Sequence, residues 1–579
     1  MGVGFAAIGL RLVDLQAISA GHYTALGLEQ RVRTVTLPAE RGGIFDRNGD
    51  ELAVSVPVKT IVADPSVVPD PAGYAEQLAP VLHVDESDLR HRLADHKAAF
   101  AYVARQVDDK VAAKVEKLGL AGITTIPESK RFYPSTSLAA PVLGFVGVDG
   151  NGLGGLEFGN DKELAGKAGF IALERDPQGR DIPNGKRRGD AARRGGDLVT
   201  TLDQSLQYET EQALLAEVTS ANAKGGTAVI VDVKTGDILS MATVDGPGSA
   251  DASTDPGAAT GASGAGTGAG TKARPATNEE LNRPLTDVFE PGSTNKVITM
   301  AAALEAGLVT PDTSFTVPDS IHIGDKDFHD AEEHGTETMT VSDILRKSSN
   351  IGTIEIGQQV GIDRLDAAMR NFGFGSKTPI NFPGEVAGLL PSRDTYDNSS
   401  TIMGTLPTGQ GVAVSALQML DVYTTIANDG VSRPPRLVSA TIDSQGNRHG
   451  LPAQRGHRVV SSETAAKLRT MLAGVVADGT GTKGAIPGYT VAGKTGTAKK
   501  APYDEGKYVA SFVGFAPAES PRFAAIVVVD APGAGEIYGG DIAAPVFSRI
   551  MQYALRLEQV PPSEAITANA AQGQDSTAR

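Results

Sequence analysis

The sequence predicts an α+β fold, an antiparallel sheet flanked by helices, in the larger C-terminal part of a two-part chain. Three observations predict it. Apolar runs at 227–233 and 238–244 are joined by Lys234-Thr235-Gly236-Asp237, which is hairpin-turn chemistry. Residues 508–515 and 523–530 read as paired strands around a turn at 517–521. Helical patterns at 204–221, 340–347 and 543–555 lie before, between and after these strands.

Taken in order, residues 2–10 are apolar until Arg11 and Asp14 interrupt them. A spanning helix needs about 20 apolar residues. The run therefore reads either as a short buried helix or as the outer end of a membrane helix whose start is missing. Residues 21–196 mix short strand-like runs with turns, and 85–120 read as largely helical. The basic residues Lys186, Arg187, Arg188, Arg193 and Arg194 read as a solvated hairpin or linker. The second part begins near Asp197. Inside it, 246–277 is rich in Gly, Ala, Ser and Thr. Such a segment cannot bury enough apolar surface to offset its ordering entropy, so a disordered insertion is expected. The tail from 561 reads as loose.

The chain has 579 residues, a net charge of −16 and no cysteine. The charge argues against a nucleic-acid binder. The absence of cysteine excludes disulfides and thiolate metal sites.

Ser293-Thr294-Asn295-Lys296 puts a hydroxyl and an amine three residues apart, next to one another on a helix. A serine hydroxyl is a weak nucleophile until a nearby base takes its proton. Alone, the pair also fits a capped helix start with a surface lysine. Ser348-Ser349-Asn350 and Lys494-Thr495-Gly496-Thr497 follow, and the three elements together resemble the signature of penicillin-binding proteins and class A β-lactamases. Ser220-Ala221-Asn222 and Lys234-Thr235-Gly236 duplicate the later elements, but both precede Ser293.

Rival motifs are weaker. Gly488 to Thr495 fits a phosphate-loop pattern, yet a loop precedes it and no helix follows. His322, His329 and His334 among Asp325, Asp327, Asp330, Glu332 and Glu333 fit no standard ligand spacing, and read as a hydrated loop. Asp46-Arg47-Asn48-Gly49-Asp50 has its glycine misplaced for a calcium loop.

The ordered triplet resembles the penicillin-binding proteins, and the flanks sharpen the likeness. Arg41-Gly42-Gly43-Ile44-Phe45-Asp46-Arg47-Asn48-Gly49, Arg131-Phe132-Tyr133-Pro134, Leu143-Gly144-Phe145-Val146-Gly147 and Gly155-Leu156-Glu157 are similar to boxes of the class B N-terminal domain. Asn282-Arg283 and Gly409-Gln410-Gly411 complete the match. Within class B, the Ser348 and Lys494 surroundings look most like the division-specific D,D-transpeptidases, with elongation enzymes as the nearer alternative. The short anchor and the 246–277 insertion depart from the pattern.

The resemblance implies an anchor remnant over 1–20, an elongated strand-rich pedestal (dimerisation) domain over 21–196, a transpeptidase domain over 197–560 and a flexible tail over 561–579. It implies a single-pass membrane protein whose catalytic part lies outside the cytoplasm. The substrates are peptidoglycan stem peptides, with β-lactams as covalent ligands. A membrane glycosyltransferase and other division proteins are the implied partners, and neither cofactor nor metal is called for. By the same resemblance Ser293 is the acyl-accepting nucleophile and Lys296 its base. Ser348 relays a proton to the leaving amine, Asn350 holds substrate and lysine, and Lys494 sets a positive field. Thr495 and Thr497 bind the substrate carboxylate, and Gly496 lets the substrate lie along the strand edge. The backbone N–H groups of Ser293 and Thr497 form the oxyanion hole. A β-lactamase, a carboxypeptidase releasing D-Ala without an acceptor, and a non-catalytic division scaffold or β-lactam sensor are the remaining alternatives.

Overall fold

The computed structural model describes residues 2–14, 32–98, 100–174, 188–247, 274–275, 281–503 and 506–563. Residues 564–579 of the expected loose tail and most of the 246–277 insertion, with Lys186 and Arg187, lie outside the described residues. The start of that tail is instead packed, with Ser563 buried and its N–H donated to Gly488 O at 3.0 Å. Within the insertion, Arg274–Pro275 is not disordered as expected but forms a short strand against Val244 and Asp245. That pairing returns the chain to the sheet edge it left.

The first helix is Gly2–Val13. It exposes Phe5, Leu10, Leu12 and Val13, so it is not the short buried helix that one reading allowed. Among the described residues, no helix is long and apolar enough to cross a membrane.

The N-terminal unit is built on the long strand Glu51–Ala63, which pairs with Ile44–Phe45, Ala101–Val107 and Ile123–Phe132. Helices Pro71–Leu82 and Glu86–Ala94 start at Asp70 and Asp85, whose side chains accept backbone N–H groups of the first turn. Leu78, Leu89, Leu93 and Val115 close a small core over Ile61 and Val103. The helical reading of 85–120 is corrected here. Ala101–Val107 is a strand between Glu86–Ala94 and Asp109–Lys117. Its residues have no strong helix or strand bias, and pairing with Glu51–Ala63 decides their state.

The separated boxes of this unit meet in one buried charge network. Glu157, with no exposed surface, receives Arg41 Nε at 2.7 Å and Arg131 Nε at 2.6 Å. Arg41 also reaches Asp161 at 2.6 Å. The Asp46 loop is an Asx turn: its Oδ1 accepts the N–H groups of Asn48 and Asp50 at 2.7 and 2.9 Å.

Asp197–Thr200 joins the two units. It lies parallel to Ile44–Phe45 on one side and antiparallel to Val438–Ile442 on the other. The C-terminal unit is an antiparallel sheet, six-stranded among the described residues. Its order is Arg274–Pro275, Ile238–Asp245, Gly225–Asp232, Phe523–Asp530, Tyr508–Ala516, Ala492–Lys499. The predicted hairpin is present, with Gly236 at φ 76 and Asp232 Oδ1 accepting the N–H groups of Lys234 and Thr235. Both faces are covered, which explains the continuous apolar runs. Phe523, Ala525, Val527 and Val529 face the helices Gln204–Ser220 and Gly539–Leu557. Ala524, Ile526 and Val528 face the core of Lys296–Glu305, Ala416–Ala427 and Ser462–Asp478. Strand Ala492–Lys499 stands at the open edge, beside the Ser293 turn.

Candidate active site

Ser293 sits in a single 3-10 turn, Gly292–Asn295, that runs straight into helix Lys296–Glu305. Every residue of that helix from Lys296 to Leu304 is buried, whereas Ser293 stays half-exposed at its mouth. The turn is held from several sides. Tyr423 Oη, itself buried, donates to Thr294 O at 2.9 Å. Asn295 Nδ2 donates to Leu406 O at 3.3 Å, and Gly292 N–H to Gly409 O at 3.1 Å. The Gly409-Gln410-Gly411 box thus braces the serine turn from behind.

Ser348-Ser349-Asn350 is the joint between two helices. Val341–Lys347 begins with a capping box between Thr340 and Asp343 and ends at Ser348, which takes the left-handed φ of 63. A non-glycine residue there carries backbone strain that its surroundings must hold. Ser349 then caps the next helix, Asn350–Val360, by accepting Gly352 N–H at 3.0 Å. This back-to-back capping turns Ser348 O and Asn350 Oδ1 toward Lys296. Nζ of Lys296 donates to them at 2.5 and 2.7 Å, and approaches Ser348 Oγ at 3.3 Å. Among the described residues, the Ser293 hydroxyl makes no hydrogen bond, so the lysine is tethered to Ser348 and Asn350 rather than to Ser293.

Lys296 has no exposed surface. Burial brings its ammonium down to about 7, with the charge of Asp330 pulling the other way. Lys494 is buried as completely. Burial, and then the like charge of Lys296, hold it well below the ordinary lysine range. Its Nζ donates to Thr495 O at 3.2 Å. Both amines are thus shifted toward the neutral form, the state in which an amine can accept a proton.

The predicted strand residues Lys494, Thr495, Gly496 and Thr497 all lie on Ala492–Lys499. Thr495 Oγ1 is 2.8 Å from Thr480 Oγ1, and Thr497 Oγ1 accepts Gly539 N–H at 3.1 Å. Among the described residues, the Thr497 hydroxyl proton has no acceptor. A Cβ at Gly496 would stand 2.4 Å from Ser511 Oγ and 3.0 Å from Thr294 Cγ2. The glycine is therefore needed for the strand to pack against the serine turn.

The duplicate motifs fall elsewhere: Asn222 follows helix Gln204–Ser220, and Lys234 is in the hairpin turn. Lys494 lies within a strand with no helix after it, so the phosphate-loop geometry is absent there. His322 pairs with Asp327 across the hairpin Ser320–Ile323/Lys326–His329, and His334 pairs with Asp330. Among the described residues, no cluster of three or more His, Asp or Glu side chains is placed to hold a metal. Sequence reasoning missed Tyr423, Thr480 and Asp330. The last accepts the N–H groups of Asn350 and Ile351, the latter at 3.0 Å.

Comparison with known families decides the assignment. The penicillin-binding protein transpeptidase domain matches residues 226–552, and the penicillin-binding protein dimerisation domain matches 36–200. The chain belongs to the class B penicillin-binding proteins. Among its class B relatives, the penicillin-binding protein PbpB of Mycolicibacterium smegmatis is 35% identical over 96% of this chain and 88% of the relative. The peptidoglycan D,D-transpeptidase FtsI of Escherichia coli is 35% identical over 96% of this chain and 90% of its own. The crystal structure of penicillin-binding protein 3 from Mycobacterium tuberculosis, complexed with aztreonam, superimposes with a TM-score of 0.67 at 31% identity. It covers 91% of this chain and 98% of that one.

Proposed function

We propose that this class B protein is a peptidoglycan D,D-transpeptidase, cross-linking stem peptides through an acyl-enzyme on Ser293 in septal wall synthesis. The observation that carries the reading is Lys296: a fully buried lysine, brought down to about 7, beside a half-exposed serine. A surface lysine next to a capping serine has neither property.

Ser293 Oγ attacks the carbonyl of the penultimate D-Ala, and Lys296 takes the hydroxyl proton. The C–N bond to the terminal D-Ala then breaks. Its nitrogen receives a proton by way of Ser348 Oγ, which lies 3.3 Å from Lys296 Nζ. Asn350 keeps Lys296 in place and offers its amide to the substrate. Lys494 supplies positive field at the strand edge. Thr497 donates its free proton to the substrate carboxylate, with Thr495 beside it. Backbone N–H groups of Ser293 and Thr497 hold the oxyanion, and losing one such donor typically costs about 100- to 1,000-fold in rate. An amine of a second stem peptide resolves the ester and releases Ser293. A β-lactam opens on the same hydroxyl and leaves a stable ester.

The septal role rests on the Ser348 and Lys494 surroundings, which look most like those of the division-specific enzymes; the chemistry is that for which the FtsI relative is named, and the PbpB relative is named for penicillin binding. The substrate places the catalytic unit outside the cytoplasm. We assign the exposed apolar helix Gly2–Val13 to the membrane-proximal end of an anchor, and the unit boundary to the shared strand near Asp197.

The test is intact mass after exposure to penicillin. One covalent adduct is expected, mapping to Ser293 and persisting for many minutes; Ser293→Ala, still folded, is expected to show none. A persistent adduct on that variant sinks the assignment, and rapid hydrolysis of the wild-type adduct points to a β-lactamase instead.

A further inference from the structure

The transpeptidase reading uses Lys296, Ser348 and Asn350 but leaves open what holds the Ser348–Asn350 turn at its strained angle. Asp330 lies directly behind that turn. Its Oδ1 accepts the N–H groups of both Asn350 and Ile351, the first two donors of helix Asn350–Val360. The neighbouring His329 O accepts Asn350 Nδ2 at 2.9 Å. Asn350 is thereby fixed at both backbone and side chain, with Oδ1 left facing Lys296.

Asp330 is itself gripped. Its Oδ2 is 3.1 Å from His334 Nε2, and both side chains are nearly buried, at 8% and 12% exposure. The other ring nitrogen, Nδ1, lies 2.5 Å from Gly335 O. Each nitrogen faces an acceptor, and a neutral imidazole has only one N–H to give. The backbone carbonyl of Gly335 and the Asp330 carboxylate accordingly hold the ring above the ordinary histidine range and favour the imidazolium. Asp319, which accepts the His334 backbone N–H at 3.1 Å, and Glu337 add negative charge around the ring. Glu337 is partly offset by Lys347, at 2.7 Å, and Glu332 and Glu333 are chain neighbours.

We propose that Asp330, clamped by the His334 imidazolium, is a positioning residue for acylation: it fixes the Ser348–Asn350 turn and sets the charge that Lys296 senses.

The inference rests on the transpeptidase reading but makes a separate demand. Lys296 keeps its proton more tightly because of the Asp330 carboxylate. His334 cancels part of that negative charge. The two groups must therefore act on Lys296 with opposite sign. Removing the carboxylate releases the lysine proton at lower pH. Removing the imidazolium, while keeping an amide donor toward Asp330, leaves the carboxylate uncompensated and holds the proton to higher pH.

The experiment is the second-order rate of acylation by a fluorescent penicillin, measured from pH 5 to 9 on the full chain. Asp330→Asn is expected to lower the plateau rate about tenfold, the scale of losing one charge-assisted hydrogen bond, and to move the acid limb to lower pH. Asp330→Glu is expected to restore part of the plateau. His334→Gln is expected to move the limb to higher pH. An unmoved limb in both folded variants, or a shift of both in one direction, overturns the proposal, because a merely structural role moves rate without moving the limb. If Asp330→Asn does not fold, the His334→Gln limb decides alone. Absence of wild-type acylation would instead overturn the transpeptidase reading, so the two failures are distinct.

Discussion

Acylation of Ser293 is expected to rise with pH and level off, with a midpoint near the value of about 7 that burial gives Lys296. The perturbation is the proton itself. At pH 7, a lysine with its ordinary value of 10.5 would be in the free-base form in roughly one molecule in 3,000. With the value brought to about 7, about half the molecules are competent. Burial thus raises the supply of free base by about a thousandfold. The same shift has a sign in stability. Between about 7 and 10.5 the folded lysine has released its proton while the unfolded one keeps it. The unfolded state then binds more protons, so stability from this group rises with pH by about 1.4 kcal/mol per pH unit. Below pH 7 the penalty of burying the ammonium is present in full. The assays are stopped-flow acylation by a chromogenic cephalosporin and denaturant unfolding of wild type against Lys296→Met. The stability difference should move in favour of wild type between pH 7 and 10. An acylation rate that is flat from pH 5 to 8, or that climbs until pH 10, would refute the claim that a buried neutral Lys296 is the base.

Three further outcomes follow from packing. Gly496→Ala places a methyl against Ser511 and Thr294, and is expected to cost about 1–3 kcal/mol in unfolding and to slow acylation at least tenfold; unchanged acylation would show the edge strand has slack. Glu157→Ala leaves Arg41 and Arg131 buried without their shared carboxylate, a loss of about 3–5 kcal/mol readable by denaturant titration. Replacing 248–273 with a short glycine bridge is expected to leave penicillin acylation within about twofold, because Asp245 and Arg274 are already paired across the gap; a large loss would give the segment a role in the site.

The readable parts of the chain were those with short-range causes. Lys234 and Gly236 announced a hairpin because turn geometry is local, and Phe523–Asp530 announced a strand because both of its faces are buried. Ser293 and Lys296 were legible through their spacing, and Ser348 with Lys494 through motif order. The rest depended on distant partners. Ala101–Val107 takes its state from Glu51–Ala63, which no local pattern reveals. Asp330 read as one more acid in a hydrated loop, since only the fold brings it behind Asn350. Gly496 was legible as a glycine, but the atoms that demand it belong to Ser511 and Thr294.

The strand Asp197–Thr200 has a mechanical meaning. Because Ile44–Phe45 and Val438–Ile442 both bond to it, the two units meet through a continuous hydrogen-bonded ladder. Arg47 adds a tether to Glu558 at 3.0 Å, and Asp46 Oδ2 accepts Gln204 N–H at 3.2 Å. Swivelling at this junction would require breaking ladder bonds, so the joint is stiff. A displacement of the N-terminal unit is therefore carried into the catalytic unit through paired strands rather than through a slack linker.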